Sequence, residues 1–232
     1  MTIKTVFFDA GNTLLTPAIP ESQALSDAAA SLGITIDAAD IEKHIPAMYE
    51  HYERLFAQDQ SAWADEKRAV NLWMSMYYHL CDLLGITEKA SQIAQKGYDT
   101  FLDPMSWTLF DDVMPTLLAL RSRQIPIGII SNWDCSLDSI IDGMGLRHHF
   151  DVVLSSAAVG MYKPHPAIFE RALHELGAER EESMYVGDHI IADVEGSLNA
   201  GFTAVLIDRE NRYPDNERYI RVQDLREILE YL

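Results

Sequence analysis

Chemistry-bearing residues stand where short apolar runs stop. Asp9 follows IKTVFF, Ser131 and Asn132 end IPIGII, and Asp188 follows MYVG with Asp193 five residues further on. Lys163 heads KPHP, just ahead of a helical pattern. A carboxylate nucleophile, a hydroxyl, a cation and a pair of metal-ligating carboxylates suit phosphoryl transfer, in which positioning and charge neutralisation supply most of the rate. Taken singly, each has a plainer reading. Asp9 fits an Asx-turn or helix cap, Ser131 a turn, Lys163 a solvated helix start and Asp193 an acid favoured by a helix dipole. Their joint occurrence is what points to a site, because ligands of open α/β sheets collect at the carboxyl ends of strands, where the strand order reverses.

The elements that must position these groups follow from the apolar pattern. Runs at residues 3–8, 126–131, 152–155, 184–186 and 204–207 are short, rich in Val, Ile and Phe, and too uniformly apolar for a surface helix. They read as strands buried on both faces of a parallel sheet. Between the later ones lie helical faces: Val113, Leu117, Leu118 and Leu120, then Ile168, Phe169, Ala172, Leu173 and Leu176. The second is opened by Pro164 and Pro166 and stopped by Gly177. The alternation predicts an α/β fold with a doubly wound, mainly parallel, Rossmann-like sheet.

Residues 17–104 break the alternation, with helix after helix and no convincing strand. Leu25, Ala28, Ala29 and Leu32 share one face before Gly33; Ile45, Met48, Tyr49, Tyr52 and Phe56 mark another helix, with Pro46 near its start or at a kink. Trp63, Val70, Trp73, Tyr77, Leu80 and Leu84 predict one long helix ending at Gly85. Aromatics at such spacing read as packed core before they read as a substrate pocket. The polar tract 208–216 reads as an ordinary surface loop.

Composition removes several classes of function. Among 232 residues, 36 acidic against 18 basic ones give a formal charge of -18, whose field repels nucleic acid and anionic membranes. No segment approaches the roughly 20 apolar residues that span a bilayer. Cys81 and Cys135 are too few for a disulfide framework and read as small buried hydrophobes in a reducing compartment. The apolar N-terminal run meets a charge at Asp9, unlike a signal peptide, so a cytoplasmic protein is expected.

Four ordered segments together resemble the haloacid dehalogenase-like hydrolase superfamily: DAGNTL its first motif, GIISN its second, the Lys of MYKPHPAIF its third, and VGDHIIADVEGSLNAGF its fourth. The last, with Gly196, Ala200 and Gly201, is the most specific, and the match covers nearly the whole chain. The resemblance implies a core of residues 1–16 and 105–232 and a helical cap of residues 17–104. It also implies hydrolysis of a small phosphorylated metabolite through an aspartyl-phosphate, with Asp9 as nucleophile. Ser131, Asn132 and Lys163 would bind the substrate, with Ser131 and Lys163 also serving catalysis. Mg²⁺ would be held by Asp9, Asp188, Asp193 and the backbone carbonyl of Gly11; an oxygen-only donor set suits that ion. His165 and His189 adjoin these motifs and read as packing or surface residues.

One departure qualifies the expected activity. Two residues after its nucleophile the family carries a second Asp, which protonates the leaving oxygen and later activates water; here that residue is Gly11. Asn12, next to it, replaces the usual Gly and tolerates a left-handed turn. Loss of general acid–base catalysis costs typically about 10²- to 10⁴-fold, most severely for basic leaving groups. The expectation is a weak phosphatase favouring aryl or acyl phosphates, and one that Gly11→Asp improves if the new side chain fits. Asp134 is a candidate substitute acid. The rival readings are a non-catalytic protein binding a phosphorylated ligand or another protein and, behind it, a 2-haloacid dehalogenase.

Overall fold

The computed structural model describes residues 2–232. The chain begins with β1 (Thr5–Phe8), turns through residues 9–14 into a short β2 (Leu15–Pro17), and departs into a run of helices. These are α1 (Glu21–Ala30), α2 (Ala38–Glu42), α3 (Ile45–Gln58), α4 (Glu66–Leu83) and α5 (Ala90–Thr100). The return is β3 (Trp107–Leu109), antiparallel to β2, so a two-stranded ribbon joins the helical insertion to the rest. Then follow α6 (Val113–Ser122), β4 (Ile127–Ser131), α7 (Leu137–Gly143), β5 (Val152–Ser155), α8 (Ser156–Val159) and α9 (Pro166–Leu176). The chain continues through β6 (Ser183–Gly187), α10 (Gly196–Asn199), β7 (Thr203–Ile207) and β8 (Ile220–Val222).

Six of the strands form one parallel sheet in the order β5-β4-β1-β6-β7-β8. Successive chain segments build outward from β1 on one side through β4 and β5, then jump across it to β6 and build outward on the other. The direction reverses at β1, so the crevice lies outside the carboxyl ends of β1, β4 and β6. Both faces of the sheet are buried, which accounts for runs that are mostly apolar rather than alternating. Val6, Phe8, Ile129 and Val186 pack with Leu117 of α6 and Ile140 of α7; Phe7, Ile130 and Tyr185 face Ile168 and Phe169 of α9. The insertion has its own core, in which Leu25, Met48, Tyr77, Leu80 and Ile93 meet.

Several local expectations give way. The helix predicted from Trp63 to Leu84 is interrupted: Trp63 lies in a 3₁₀ turn (Gln60–Ala64), and Asp65, with extended backbone, starts α4 by accepting the Arg68 N–H. The buried stripe of α4 accordingly runs through Ala69, Leu72, Met76 and Leu80. Pro46 sits at the first turn of α3, where its missing N–H costs nothing. Cys81 is buried but Cys135 is exposed. The tract after β7 is more than a surface loop, because Asp208 is buried and accepts the N–H groups of Arg212 and Tyr213. Among the described residues, no helix is long and apolar enough to cross a membrane.

Candidate active site

Asp9, Ser131 and Asp188 leave the ends of adjacent strands β1, β4 and β6, and parallel register brings them to one edge. Ser131 Oγ donates to Asp9 Oδ1 at 2.8 Å, and Lys163 Nζ donates to the same oxygen at 2.6 Å. Lys163 also bonds Asp193 Oδ1 at 2.6 Å and the Tyr185 hydroxyl at 2.8 Å. The Tyr185 hydroxyl donates a hydrogen bond to the Ile130 carbonyl, 2.7 Å away. Lys163 is 2% exposed, so its charge depends on these partners rather than on water. Tyr185 escaped the sequence reading because an aromatic in a buried strand looks like ordinary core.

Burial is the largest influence on Lys163 and favours its neutral form, but Asp193 and Asp9 outweigh it and hold its pKa above the usual value. For Asp9 burial wins: it raises the carboxyl pKa despite the opposing pull of Lys163 and the Ser131 hydrogen bond. The lysine therefore tempers the burial of Asp9 without reversing it. Asp188 is half-buried and has no hydrogen-bonding partner among the described residues. Desolvation, followed by Asp9 and Asp193, pushes its pKa up to about 8.

One carboxylate oxygen from each of Asp9, Asp188 and Asp193 lies within 4.8 Å of the others. Three carboxyl groups crowded around one lysine resist joint ionisation without a further cation, and the donor set is all oxygen, so these residues fit a hard divalent cation. Asp193 is the most committed of the three, since its Oδ2 accepts the His189 N–H at 2.9 Å while Oδ1 holds Lys163. It sits on a single π-helical turn (Ile190–Glu195), whose wider winding replaces an ordinary helix start after β6. Gly187 leaves room for it, because a Cβ there would lie 2.3 Å from the Asp193 carboxyl carbon.

Asn132, expected to touch substrate, brackets the Lys163 backbone instead, donating to its carbonyl at 2.9 Å and accepting its N–H at 2.8 Å. Gly11 is half-exposed in the turn after Asp9, and a Cβ there would stand 3.3 Å from the Trp133 ring. Asp134 has both oxygens engaged, one by the Ser136 N–H and one by the Tyr98 hydroxyl. It ties the insertion to the loop after β4 rather than offering a free proton. His189 Nδ1 accepts the Ile191 and Ala192 N–H groups, while Nε2 faces Glu53 of α3 at 3.2 Å. His165 caps α9 through Ala167. The Cys135 N–H donates to Glu66 of α4, a further link between insertion and core. All four tryptophans form one aromatic seam along this junction: Trp63 meets Trp73 at 5.6 Å, Trp73 meets Trp133 at 6.0 Å and Trp133 meets Trp107 at 5.0 Å between ring centres.

Known proteins share this arrangement of sequence and fold. The haloacid dehalogenase-like hydrolase family profile matches residues 3–201. The human haloacid dehalogenase-like hydrolase domain-containing protein 3 is 29% identical over 207 residues, covering 88% of this chain and 82% of its own. A phosphoserine phosphatase from Thermus thermophilus is 35% identical over 148 residues, 62% of this chain and 58% of that protein. A solved 2-haloacid dehalogenase from Pseudomonas syringae superposes with a TM-score of 0.65 at 24% identity, covering 99% of this chain and 98% of that one. With residues 3–201 of its 232 matched by the family profile, the chain belongs to the haloacid dehalogenase-like hydrolases.

Proposed function

We propose that the protein is a Mg²⁺-dependent phosphatase of small phosphorylated metabolites, acting through an aspartyl-phosphate on Asp9. The observation that carries this reading is the sharing of Asp9 Oδ1 between Ser131 and Lys163, which leaves Oδ2 to attack phosphorus. That oxygen forms the new bond as the bond from phosphorus to the leaving oxygen breaks, and the electron pair departs with the leaving group. Water then attacks phosphorus, the bond from phosphorus to Asp9 Oδ2 breaks with its electron pair returning to the carboxylate, and inorganic phosphate leaves as the water's proton passes to solvent. Lys163 stays protonated between Asp9 and Asp193 and offsets the charge gathered on the transferred group. Asp9, Asp188, Asp193 and the carbonyl of Gly11 would hold Mg²⁺, which when bound supplies positive charge beside the phosphoryl oxygens. The helical insertion acts as a cap whose inner surface selects the substrate. The T. thermophilus relative supports the phosphatase class.

With Gly11 in place of an acid, the leaving oxygen departs unprotonated and the attacking water is not deprotonated by a neighbouring carboxylate. Turnover is therefore slow, and p-nitrophenyl phosphate is hydrolysed faster than a sugar phosphate under matched conditions with Mg²⁺. Asp9→Asn and EDTA each abolish the reaction. Equal rates for the two esters would remove the leaving-group argument, and a fully active Asp9→Asn protein would remove the nucleophile.

Gly11 also supports a second reading, ranked behind the phosphatase: a non-catalytic protein that binds a phosphorylated ligand or another protein through the same crevice. It predicts binding of phosphate without turnover above a buffer blank in millimolar Mg²⁺. A 2-haloacid dehalogenase suits the site less, because Asp188 stands where those relatives are Ser/Asn-rich and need no metal. Chloride release from 2-chloropropionate without Mg²⁺ would reverse that preference.

A further inference from the structure

Arg209 lies in the tract after β7, 197 residues from Asn12, yet it bonds directly to the turn that follows the nucleophile. Its Nη2 donates to the Thr13 carbonyl at 2.8 Å and its Nε to the Asn12 carbonyl at 3.3 Å. The same guanidinium grips Asp112 with both arms, Nη1 to Oδ2 at 2.8 Å and Nη2 to Oδ1 at 3.1 Å. Asp112 is buried and in turn accepts the Leu225 N–H at 2.8 Å. The guanidinium carbon lies 3.8 Å from the centre of the Phe110 ring, and the Phe110 N–H donates to Leu14 where the chain returns from β3.

The turn needs such support. Asn12 adopts a left-handed backbone with φ of 56°, and the local bonds are few: Asn12 N–H to Leu15, and the Leu14 and Leu15 N–H groups to the single Ala10 carbonyl. Only a planar fork of donors reaches two carbonyls and a carboxylate at once; an ammonium carries the charge without the spread. We infer that Arg209, held by Asp112, is a positioning residue that fixes the nucleophile turn and hence the aim of Asp9 and the Gly11 carbonyl. The kinetic part of this inference rests on the phosphatase reading; the mechanical part does not.

The test compares Arg209→Lys and Asp112→Asn with the parent protein in hydrogen exchange, Mg²⁺ binding and kinetics. Both variants are expected to lose amide protection at residues 10–15 while the strands β4 to β7 keep theirs, and to bind Mg²⁺ alone about 10-fold more weakly. With p-nitrophenyl phosphate, kcat falls about 10²-fold, the scale of an ångström of misplacement, with KM within about 3-fold of the parent. Unchanged protection at residues 10–15 in both variants would overturn the inference. So would loss of protection spread evenly over the sheet, or a failure of both variants to fold, which would make Arg209 a general stabiliser. A parent protein that hydrolyses no phosphate would sink the phosphatase reading, and the exchange and Mg²⁺ measurements would still decide the role of Arg209.

Discussion

Gly11 and Trp133 behave as a pair. The Trp133 indole N–H bonds Ser136, its backbone N–H donates to Ser156 and its carbonyl accepts the Ser155 hydroxyl, so the ring has little freedom to retreat. A side chain at position 11 must start 3.3 Å from that ring, close enough that something has to give. Restoring the family's second acid is therefore more than a single exchange. Gly11→Asp alone is expected to leave hydrolysis of an alkyl phosphate within about 3-fold of the parent rate, whereas Gly11→Asp with Trp133→Leu raises it by about 10²-fold. Steady-state kinetics on one sugar phosphate decide this; a single exchange as active as the pair would mean that Trp133 imposes no limit. Asp9, Ser131, Lys163 and Asp193 are linked through Asp9 Oδ1 and Lys163 Nζ, although only Asp9 and Ser131 stand at strand ends. Tyr185 and Arg209 carried no signal, because a buried aromatic and a loop arginine are common without any site.

At the scale of elements, β4 shows what a parallel sheet demands of its central strands. A Cβ on Gly128 would lie 2.6 Å from Phe7 and 2.7 Å from Val152, both fixed side chains of the α9 face. Gly128→Ala should destabilise the protein by about 1–3 kcal/mol, the usual cost of overpacking. Urea unfolding measures it, and a loss below a few tenths would show that the sheet yields there. The end of β7 carries a pH-dependent contribution. Burial raises the Asp208 pKa, but the Tyr213 and Arg212 N–H groups and Arg221 outweigh it and leave the carboxyl below its ordinary value. A folded-state pKa below the unfolded one stabilises the native protein above about pH 4, and this contribution disappears as pH falls through the folded value. Asp208→Asn should therefore be less stable than the parent at pH 7, with the gap closing towards pH 2; a gap independent of pH would refute the assignment. β8 and the β2–β3 ribbon were not legible, being three-residue strands, β8 with Arg221 at its centre.

For the whole molecule, the question is how firmly the helical insertion sits on the core. Polar links that cross the junction include Tyr98 to Asp134, Glu66 to the Cys135 N–H and Glu53 to His189, beside the seam of tryptophans. The Glu66 and Glu53 links are exposed and contribute about 0–1 kcal/mol each; Tyr98 meets the buried Asp134, where a hydrogen bond to a charged group contributes about 1.5–3 kcal/mol, so it is the strongest of the three. Tyr98→Phe, Glu66→Gln and Glu53→Gln combined are expected to increase acrylamide quenching of tryptophan fluorescence while the urea midpoint of the core stays close to that of the parent. Quenching unchanged in the triple variant would assign the closure to the aromatic seam alone. The charge of -18 acts at this scale too, opposing any partner that is itself a polyanion.

The sequence by itself determined the doubly wound sheet, the run of helices between its first two core strands and the strand ends that carry polar groups. Those features are periodic or local: apolar runs buried on two faces, helical stripes, and a carboxylate or hydroxyl where a run stops. Only the tertiary structure decided what each polar group bonds. Lys163 meets Asp9 across 154 residues, Arg209 meets Asn12 across 197, and Asn132 turns to the Lys163 backbone rather than outward. Contacts of that kind depend on strand order and register, which place distant segments within hydrogen-bond reach without leaving any local pattern in the chain.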